Sequence, residues 1–597
     1  MLGHLLIIMT LLLLAPLLVG LGGWITAAFK LRLDRLEMVF LAFWLGFGIC
    51  IAAAQMWHFA APINAALRGV LILAGVGGLL FHARDLLRLA RRVVPYWWFV
   101  VLVALFTVWI ANRAIGEPVI YETGLYHINV VQWSVAYPVV PGLGNLHSRL
   151  GFSNAYFLFA AVLEAGPWTE RVYHIPNTLL FWVLVIQAAV SAWIVFRRRK
   201  IDLYHSFQAM FLPVLWLLLL SETILPSMAN DPPVFALGVV IAGQMLNLIQ
   251  SPEMRSREVF FRLFFIVFLT GVGTAIKFSF LIFGALLALL GYYLWIRRYA
   301  GWKPRTLVLS TLFLNGAALV VLVPMMARSV MMTGYPLYPL TFAPFPVDWR
   351  IYPEHADLEY AFIQTFARVR GYHPYMVTPE WNWLPLWIEA QFRPELFRDH
   401  FYLSFPFFVT VGALIVLLGD TGRRWWWRRH GQSVPAERNV NVWLRWFLIP
   451  SVVAVGFWFT SAPAPRFAGA AIWALAFTLL LMTLHRIGFG ERRWHWYASV
   501  MVFVVVAALP FVLGRADRWV YPVNTDGLDT MPKPFIKTYT SESGLTVFYP
   551  TENNQCWDTP LPCTPYPHPN MRYRVPGDLS QGFLLQIEDG DVKQVVE

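Results

Sequence analysis

Apolar runs of about 18 to 22 residues, long enough to cross a hydrocarbon layer as helices, alternate with short polar stretches along most of the chain. They lie near residues 2–28, 38–58, 63–83, 97–113, 175–196, 203–222, 233–250, 260–275, 278–296, 306–325, 403–419, 442–460, 467–485 and 496–514. The pattern predicts an all-α polytopic membrane protein, a bundle of about fourteen transmembrane helices. Residues 152–165 form a shorter apolar stretch broken by Glu164 and Gly166-Pro167, which fits a membrane-dipping or interfacial helix better than a full span. Residues 1–28 lack a basic leader and a small-residue cleavage site, so they read as a first helix rather than a removed signal.

Three segments are too long and polar for tight turns: residues 113–174, 335–400 and 515–597. The chain therefore divides into amino-terminal helices (1–96), a membrane core with two large loops (97–514) and a polar tail (515–597). Alternation at Leu545-Thr546-Val547-Phe548-Tyr549 points to a small cap, α/β or irregular in character.

Composition sharpens this picture. The 597 residues are 58% hydrophobic and 13% charged, which excludes an ordinary soluble enzyme, a disordered scaffold and a disulfide-stapled secreted module. The formal charge of +12 does not mark a nucleic-acid binder, because the basic residues sit in small clusters between apolar runs. Every second loop carries such a cluster: Lys30/Arg32/Arg35, Arg84 to Arg92, Arg197 to Lys200, Arg255 to Arg262, Arg297 to Arg305, Arg423 to Arg438, and Arg486 to Arg493. The alternate short loops carry only Arg68, Lys277 and Arg466. The positive-inside bias then puts both termini and the long polar segments outside the cell.

Of the three cysteines, Cys50 lies in a predicted span, whereas Cys556 and Cys563 share the external tail and are expected to form a disulfide. No Walker loop, dinucleotide fingerprint, HExxH or zinc-type cysteine pair occurs, so ATP-driven transport and hydride chemistry lack a motif.

The remaining signals are polar residues at predicted outer helix ends. Tyr121-Glu122-Thr123-Gly124-Leu125-Tyr126-His127 gathers a carboxylate, a phenol and an imidazole. Glu122 suits a general base whose pKa is raised by partial desolvation, or simply a cap for the helix that follows. His127 alone suits packing as well as binding. Asp231, in Asn230-Asp231-Pro232-Pro233, is either a helix cap or a binding carboxylate. Glu222 lies at the same level, and with Glu122 and Asp231 it offers oxygen ligands for a divalent cation, Mg or Mn, if the three converge. Lys277, one of seven lysines, shares the outer level with Arg328 and Arg466. Such cations either snorkel to the interface or hold a phosphate.

These residues resemble the pattern of the GT-C superfamily of membrane glycosyltransferases, which includes protein O-mannosyltransferases and aminoarabinose transferases. Glu122 with Tyr126 is similar to the acidic motif opening that family's first large external loop, and residues 152–165 resemble its interfacial helix. Asp231 resembles the later external acid and Lys277-Phe278-Ser279 the lysine after a short helix. Ala327-Arg328 and Thr333-Gly334-Tyr335-Pro336-Leu337-Tyr338-Pro339 are similar to an arginine and proline-tyrosine signature of bacterial members. The likeness runs over about residues 97–340. Within the superfamily the chain is most similar to a little-characterised bacterial family sharing the segments Tyr121 to His127, Val139 to His147, Ala462 to Phe467 and the Cys556…Cys563 tail. One departure is that Glu122 stands where aspartate is expected, about one methylene longer.

The resemblance implies a multi-pass enzyme of a bacterial inner membrane that moves a sugar from a polyprenyl-phosphate donor to a glycan, lipid or protein acceptor outside. Glu122 would deprotonate the acceptor, Asp231 would orient it or a metal, and Lys277, Arg328 and Arg466 would stabilise the departing phosphate. Tyr126 and His127 would line the site, and Trp133, Trp349 and Trp381 would stack on sugars or anchor at the interface. The competing classes are a flippase for lipid-linked glycans and a non-catalytic assembly component of the same system. A flippase calls for ionisable residues deep within spans and for repeated halves, neither of which is evident in the sequence.

Overall fold

The structure, a computed structural model, describes residues 2–369, 371–372, 381–392, 401–430, 432, 442–512, 519–522 and 527–586. Helices occupy every predicted apolar run. They are α1 (Leu2–Ala28), α2 (Leu36–His58), α3 (Ala65–Phe81), an amphipathic α4 (Ala83–Val93) and α5 (Trp97–Ala114). After two short helices, α6 (Ile128–Ala136) and α7 (Tyr156–Leu163), come α8 (Pro176–Arg198), α9 (Leu203–Leu219), α10 (Asp231–Gln250), α11 (Ser256–Ile276), α12 (Phe280–Trp295) and α13 (Pro304–Thr333). The second polar segment holds α14 (Pro353–Arg368) and α15 (Leu384–Phe392). It is followed by α16 (Phe401–Arg429), α17 (Val442–Ser461), α18 (Ala471–Ile487) and α19 (Arg493–Val512). Among the described residues, ten helices are long and apolar enough to cross a membrane, and the protein is a multi-pass membrane protein. Three further apolar helices, α3, α9 and α18, have 17 residues each.

At the centre stands α10, buried from Pro232 to Ile249, with α11 nearly so. The amino-terminal helices are built into this core rather than appended to it. Trp44 on α2 donates its Nε1–H to Gln187 Oε1 on α8 at 3.1 Å, and Gln55 bonds the Val321 carbonyl on α13. Helices α1 and α3 touch backbone to backbone at Gly20, where a Cβ would stand 1.9 Å from the Gly75 carbonyl oxygen. Close approach through small residues is how helices associate where lipid removes the hydrophobic drive.

The basic clusters gather at one end of the bundle. Arg35 meets Glu258 at 3.4 Å, Arg92 bonds the Asp34 carbonyl at 3.0 Å, and Arg298 bonds the Leu248 carbonyl at 2.7 Å. Arg423 and Arg424 lie on α16, which runs ten residues past its predicted end, and Arg438 falls outside the described residues. The predicted segment end at 400 and the last residues of the final predicted run, 513–514, also fall outside them.

Two expectations change. The stretch 152–165 holds the eight-residue α7, at whose start Asn154 Oδ1 accepts the Tyr156 N–H at 2.9 Å. From Tyr156 to Ala161 it is at most 1% exposed, so it is an interior helix rather than one lying on a lipid surface. Its uniform apolarity, with no polar face, is what an all-round buried helix needs. Arg328, expected at a helix mouth, is fully buried within α13 because that helix continues to Thr333.

The tail holds two antiparallel pairs, β1 (Ile536–Thr540) with β2 (Thr546–Pro550) and β3 (Met571–Tyr573) with β4 (Phe583–Leu585). Cys556 and Cys563 are disulfide-bonded, and Cys50 is a buried free thiol. The tail packs on the end of the bundle opposite the basic clusters, where Phe583 meets Trp133 at 5.7 Å and Thr564 bonds the Leu146 carbonyl at 2.8 Å.

Candidate active site

A cavity of about 1750 Å³ opens beneath the tail. Its walls combine apolar side chains such as Phe181, Val214, Leu218, Phe235 and Phe457 with a set of ionisable ones that the sequence spreads over more than 340 positions.

Glu122 begins a π-helical turn, Thr123–His127, that leads into α6. Such turns are uncommon and tend to occur at functional sites. Glu122 makes no capping bond, so the capping role is not the one it plays. The turn is pinned from the tail. Trp557 donates its backbone N–H to the Gly124 carbonyl at 2.9 Å, and Asn129 Nδ2 donates to the Trp557 carbonyl at 2.9 Å. The indole lies so close that a Cβ on residue 124 would meet it at 2.4 Å, which requires glycine there.

Asp231 is the first residue of α10, and Pro232 and Pro233 set the helix start. Its carboxylate is engaged by Lys277, which ends α11, and by Arg466 on the short turn Pro465–Ala468. Arg466 Nη2 bonds Glu122 Oε1 at 2.7 Å, while its Nε stands 3.5 Å from Asp231 Oδ2 without hydrogen-bond alignment. The four charges thus form one chain, Lys277–Asp231–Arg466–Glu122. Phe467 lies between the cations, 3.5 Å from Lys277 Nζ and 5.3 Å from the Arg466 guanidinium carbon. Two indoles fix the Arg466 turn from behind: Trp387 Nε1 donates to the Pro463 carbonyl at 3.0 Å and Trp458 Nε1 to the Ala464 carbonyl at 2.7 Å.

The electrostatics depart from the expectation for a base of raised pKa. Burial pushes the Glu122 carboxyl up, but the charge and hydrogen bond of Arg466, with His127, outweigh it and hold the group at about 2. Burial pulls Lys277 below its usual range against the opposing pull of Asp231. Burial also opposes charge on Arg466, yet Asp231 and Glu122 keep it above its ordinary value. His127, 3% exposed, is lowered to about 3 mainly by burial and is neutral at working pH. Tyr126 is raised, again chiefly by burial, and stays a phenol.

Glu122, Tyr126, His127, Asp231, Lys277 and Arg466 all line the cavity, as does Glu222, which is exposed. Arg328 does not, because it points into the helix bundle near His58. Nor do the three tryptophans. Trp133 is buried against Phe583, Trp349 lies under Arg574, and Trp381 stacks on Trp383. The donor set does not fit a divalent cation. Glu122 and Asp231 already face Arg466 and Lys277, and no group of three metal-ligating side chains converges among the described residues. The sequence reading missed Arg149, Glu359 and Tyr566, which also line the cavity. The pairing of Arg149 with Glu359, 210 residues away, is invisible in the sequence because no local spacing encodes it.

Fold and site together define a multi-pass helical membrane protein with a charged, amphipathic cavity at one end of its bundle. The chain belongs to the family described as Domain of unknown function (DUF8201), whose model matches residues 4–473. That match includes all four charges of the chain just described and leaves out the tail that roofs them. No curated protein and no solved structure matches the chain.

Proposed function

We propose that the protein is an integral membrane glycosyltransferase that moves a sugar from a polyprenyl-phosphate donor to an acceptor on the outer face. The observation that carries this reading is the Lys277–Asp231–Arg466–Glu122 chain lining a cavity whose remaining wall is largely apolar. A lipid phosphate needs both: cations for the headgroup and a dry wall for the first isoprene units. The topology that goes with this reading has about fourteen spans, with both termini and the tail outside the cell, as the positive-inside bias requires.

The step is a displacement at the anomeric carbon with inversion. The acceptor oxygen forms the new bond to that carbon as the bond to the phosphate oxygen breaks, and the electron pair leaves on the polyprenyl phosphate. Lys277 and Arg466 stabilise that departing charge. The acceptor proton passes to Glu122. In the resting site Glu122 is too weak a base, because Arg466 holds its carboxyl at about 2. A phosphate that draws Arg466 toward itself removes that hold, and burial then raises the carboxyl toward the range of a useful base. What supports this is that Arg466 Nε, 3.5 Å from Asp231 Oδ2, is a buried donor with no hydrogen-bond partner among the described residues. Asp231 keeps Lys277 in place and orients the acceptor. Arg328, set in the bundle, takes no part.

The test is transfer by nanodisc-reconstituted protein from a panel of labelled polyprenyl-phosphate sugars to membrane acceptors. Wild type is expected to transfer from one donor class. Glu122→Gln and Asp231→Asn are expected to lose at least a hundredfold with melting temperature preserved. Carrier-lipid binding without transfer from any donor would favour the flippase or scaffold reading instead.

A further inference from the structure

The cavity has a second charged pole. Arg149 lies in the short turn Ser148–Gly151, and its Nε donates to Glu359 Oε1 on α14 at 3.2 Å. The other carboxylate oxygen accepts from Ser148 Oγ at 2.8 Å. Glu359 thus fastens one edge of the guanidinium, and neither terminal amine of Arg149 has a hydrogen-bond partner among the described residues. The Arg149 side chain is 31% exposed and lines the cavity. A guanidinium anchored on one edge and open on the other is a fork set for a planar anion.

Three phenols line the cavity together with this fork. Tyr126, Tyr338 and Tyr566 lie within electrostatic reach of Arg149, and the buried Tyr338 hydroxyl has no hydrogen-bond partner among the described residues. Tyr126 is also within electrostatic reach of Glu122, Arg466 and Asp231 in the same cavity. Phenols beside a fixed arginine suit a saccharide, whose ring faces pack on aromatic carbon and whose hydroxyls bond the phenolic oxygens.

Resting on the transferase reading, we infer that the Arg149–Glu359 pole is a subsite for a carboxylate-bearing saccharide, a uronate, held apart from the lipid phosphate at Lys277 and Arg466. The uronate is borne either by the donor sugar or by the acceptor, and the recognition chemistry is the same in both.

The full chain in nanodiscs tests this with D-glucuronate and D-glucose as probes in saturation-transfer NMR, and with a fluorescent polyprenyl phosphate in parallel. Wild type is expected to bind glucuronate at least fivefold better than glucose. Arg149→Gln is expected to weaken glucuronate at least tenfold and leave the polyprenyl phosphate within twofold, and Lys277→Gln to do the reverse. If Arg149→Gln does not fold, Arg149→Lys, which keeps the charge and loses the fork, is expected to weaken glucuronate at least threefold. Saturation with a polyprenyl-phosphate glucuronate that displaces the free probe assigns the subsite to the donor sugar, and persistence of the probe assigns it to the acceptor. Equal binding of the two sugars, or glucuronate binding indifferent to Arg149, overturns the inference. Glucuronate binding that needs Arg149 in a protein that binds no polyprenyl phosphate keeps the subsite and removes the transferase reading.

Discussion

Glu122 shows how one neighbour decides what a residue can do. Burial alone would lift its carboxyl, and Arg466 reverses the direction. The shift from an ordinary 4.5 to about 2 corresponds to about 3 kcal/mol of native-state preference for the charged form. Because the folded value is depressed, that stabilisation is fully present above the unfolded value of about 4.5 and is lost as pH falls toward 2. Infrared difference titration, with Glu122→Gln as the blank, is expected to show protonation of Glu122 only near pH 2. In Arg466→Gln the same band is expected above pH 4.5, since desolvation then acts unopposed. A carboxyl titrating at 4 in both proteins would mean that the ion pair does not hold in the membrane. Glu164 presents the opposite case: burial raises it to about 7, against a hydrogen bond from the Glu170 N–H. Here the folded value lies above the unfolded one, so stability is lost as pH rises from about 4.5 through 7. Glu164→Gln is therefore expected to raise the melting temperature at pH 8 and to change it little at pH 4.5.

Among elements, the tail and the second polar segment matter because they hold catalytic candidates that they do not themselves contain. The Cys556–Cys563 loop presses Trp557 onto Gly124, and Trp387 of the second polar segment, together with Trp458 of α17, holds the turn that carries Arg466. Gly124→Ala drives a methyl into the indole and is expected to cost about 1–3 kcal/mol, the usual scale for overpacking a tight contact. Limited proteolysis should then cut the tail faster while the bundle stays intact. Trp458→Phe keeps an aromatic ring but removes the part of the indole that carries the Nε1–H bonded to the Ala464 carbonyl. It is expected to cost about 1 kcal/mol of stability and to lower transfer more than that figure implies, because Arg466 loses its placement. Stability and transfer falling in proportion would leave Trp458 a packing residue only.

For the whole molecule, the charge asymmetry makes a prediction about orientation. The cavity and tail occupy the end opposite Arg35, Arg92 and Arg298, and the positive-inside bias predicts that this end is extracytoplasmic. Ser461→Cys at the cavity rim is expected to react with an impermeant maleimide in intact spheroplasts. Ser256→Cys at the start of α11 should react only after permeabilisation. The background is low because Cys50 is buried and the other two cysteines are paired. The reverse labelling pattern would turn the protein over and remove any outer acceptor.

The positions of the helices were legible in the sequence. An apolar run long enough to span a membrane has no other stable form in lipid, where every backbone polar group must be satisfied within its own segment. The same local logic marked Glu122, Asp231, Lys277 and Arg466 as polar residues at helix ends in need of a reason. Other features were decided only by the tertiary structure. Helix α7 reads as interfacial until its neighbours are seen to enclose it, and Arg328 reads as a site residue until α13 is seen to continue past it. Glu122 reads as a base of raised pKa until Arg466, 344 residues away, is seen beside it. The physical reason is one of range: hydrophobic periodicity is a property of neighbouring residues, whereas the charge state of a carboxylate and the wall of a cavity depend on residues that only folding brings within a few ångströms.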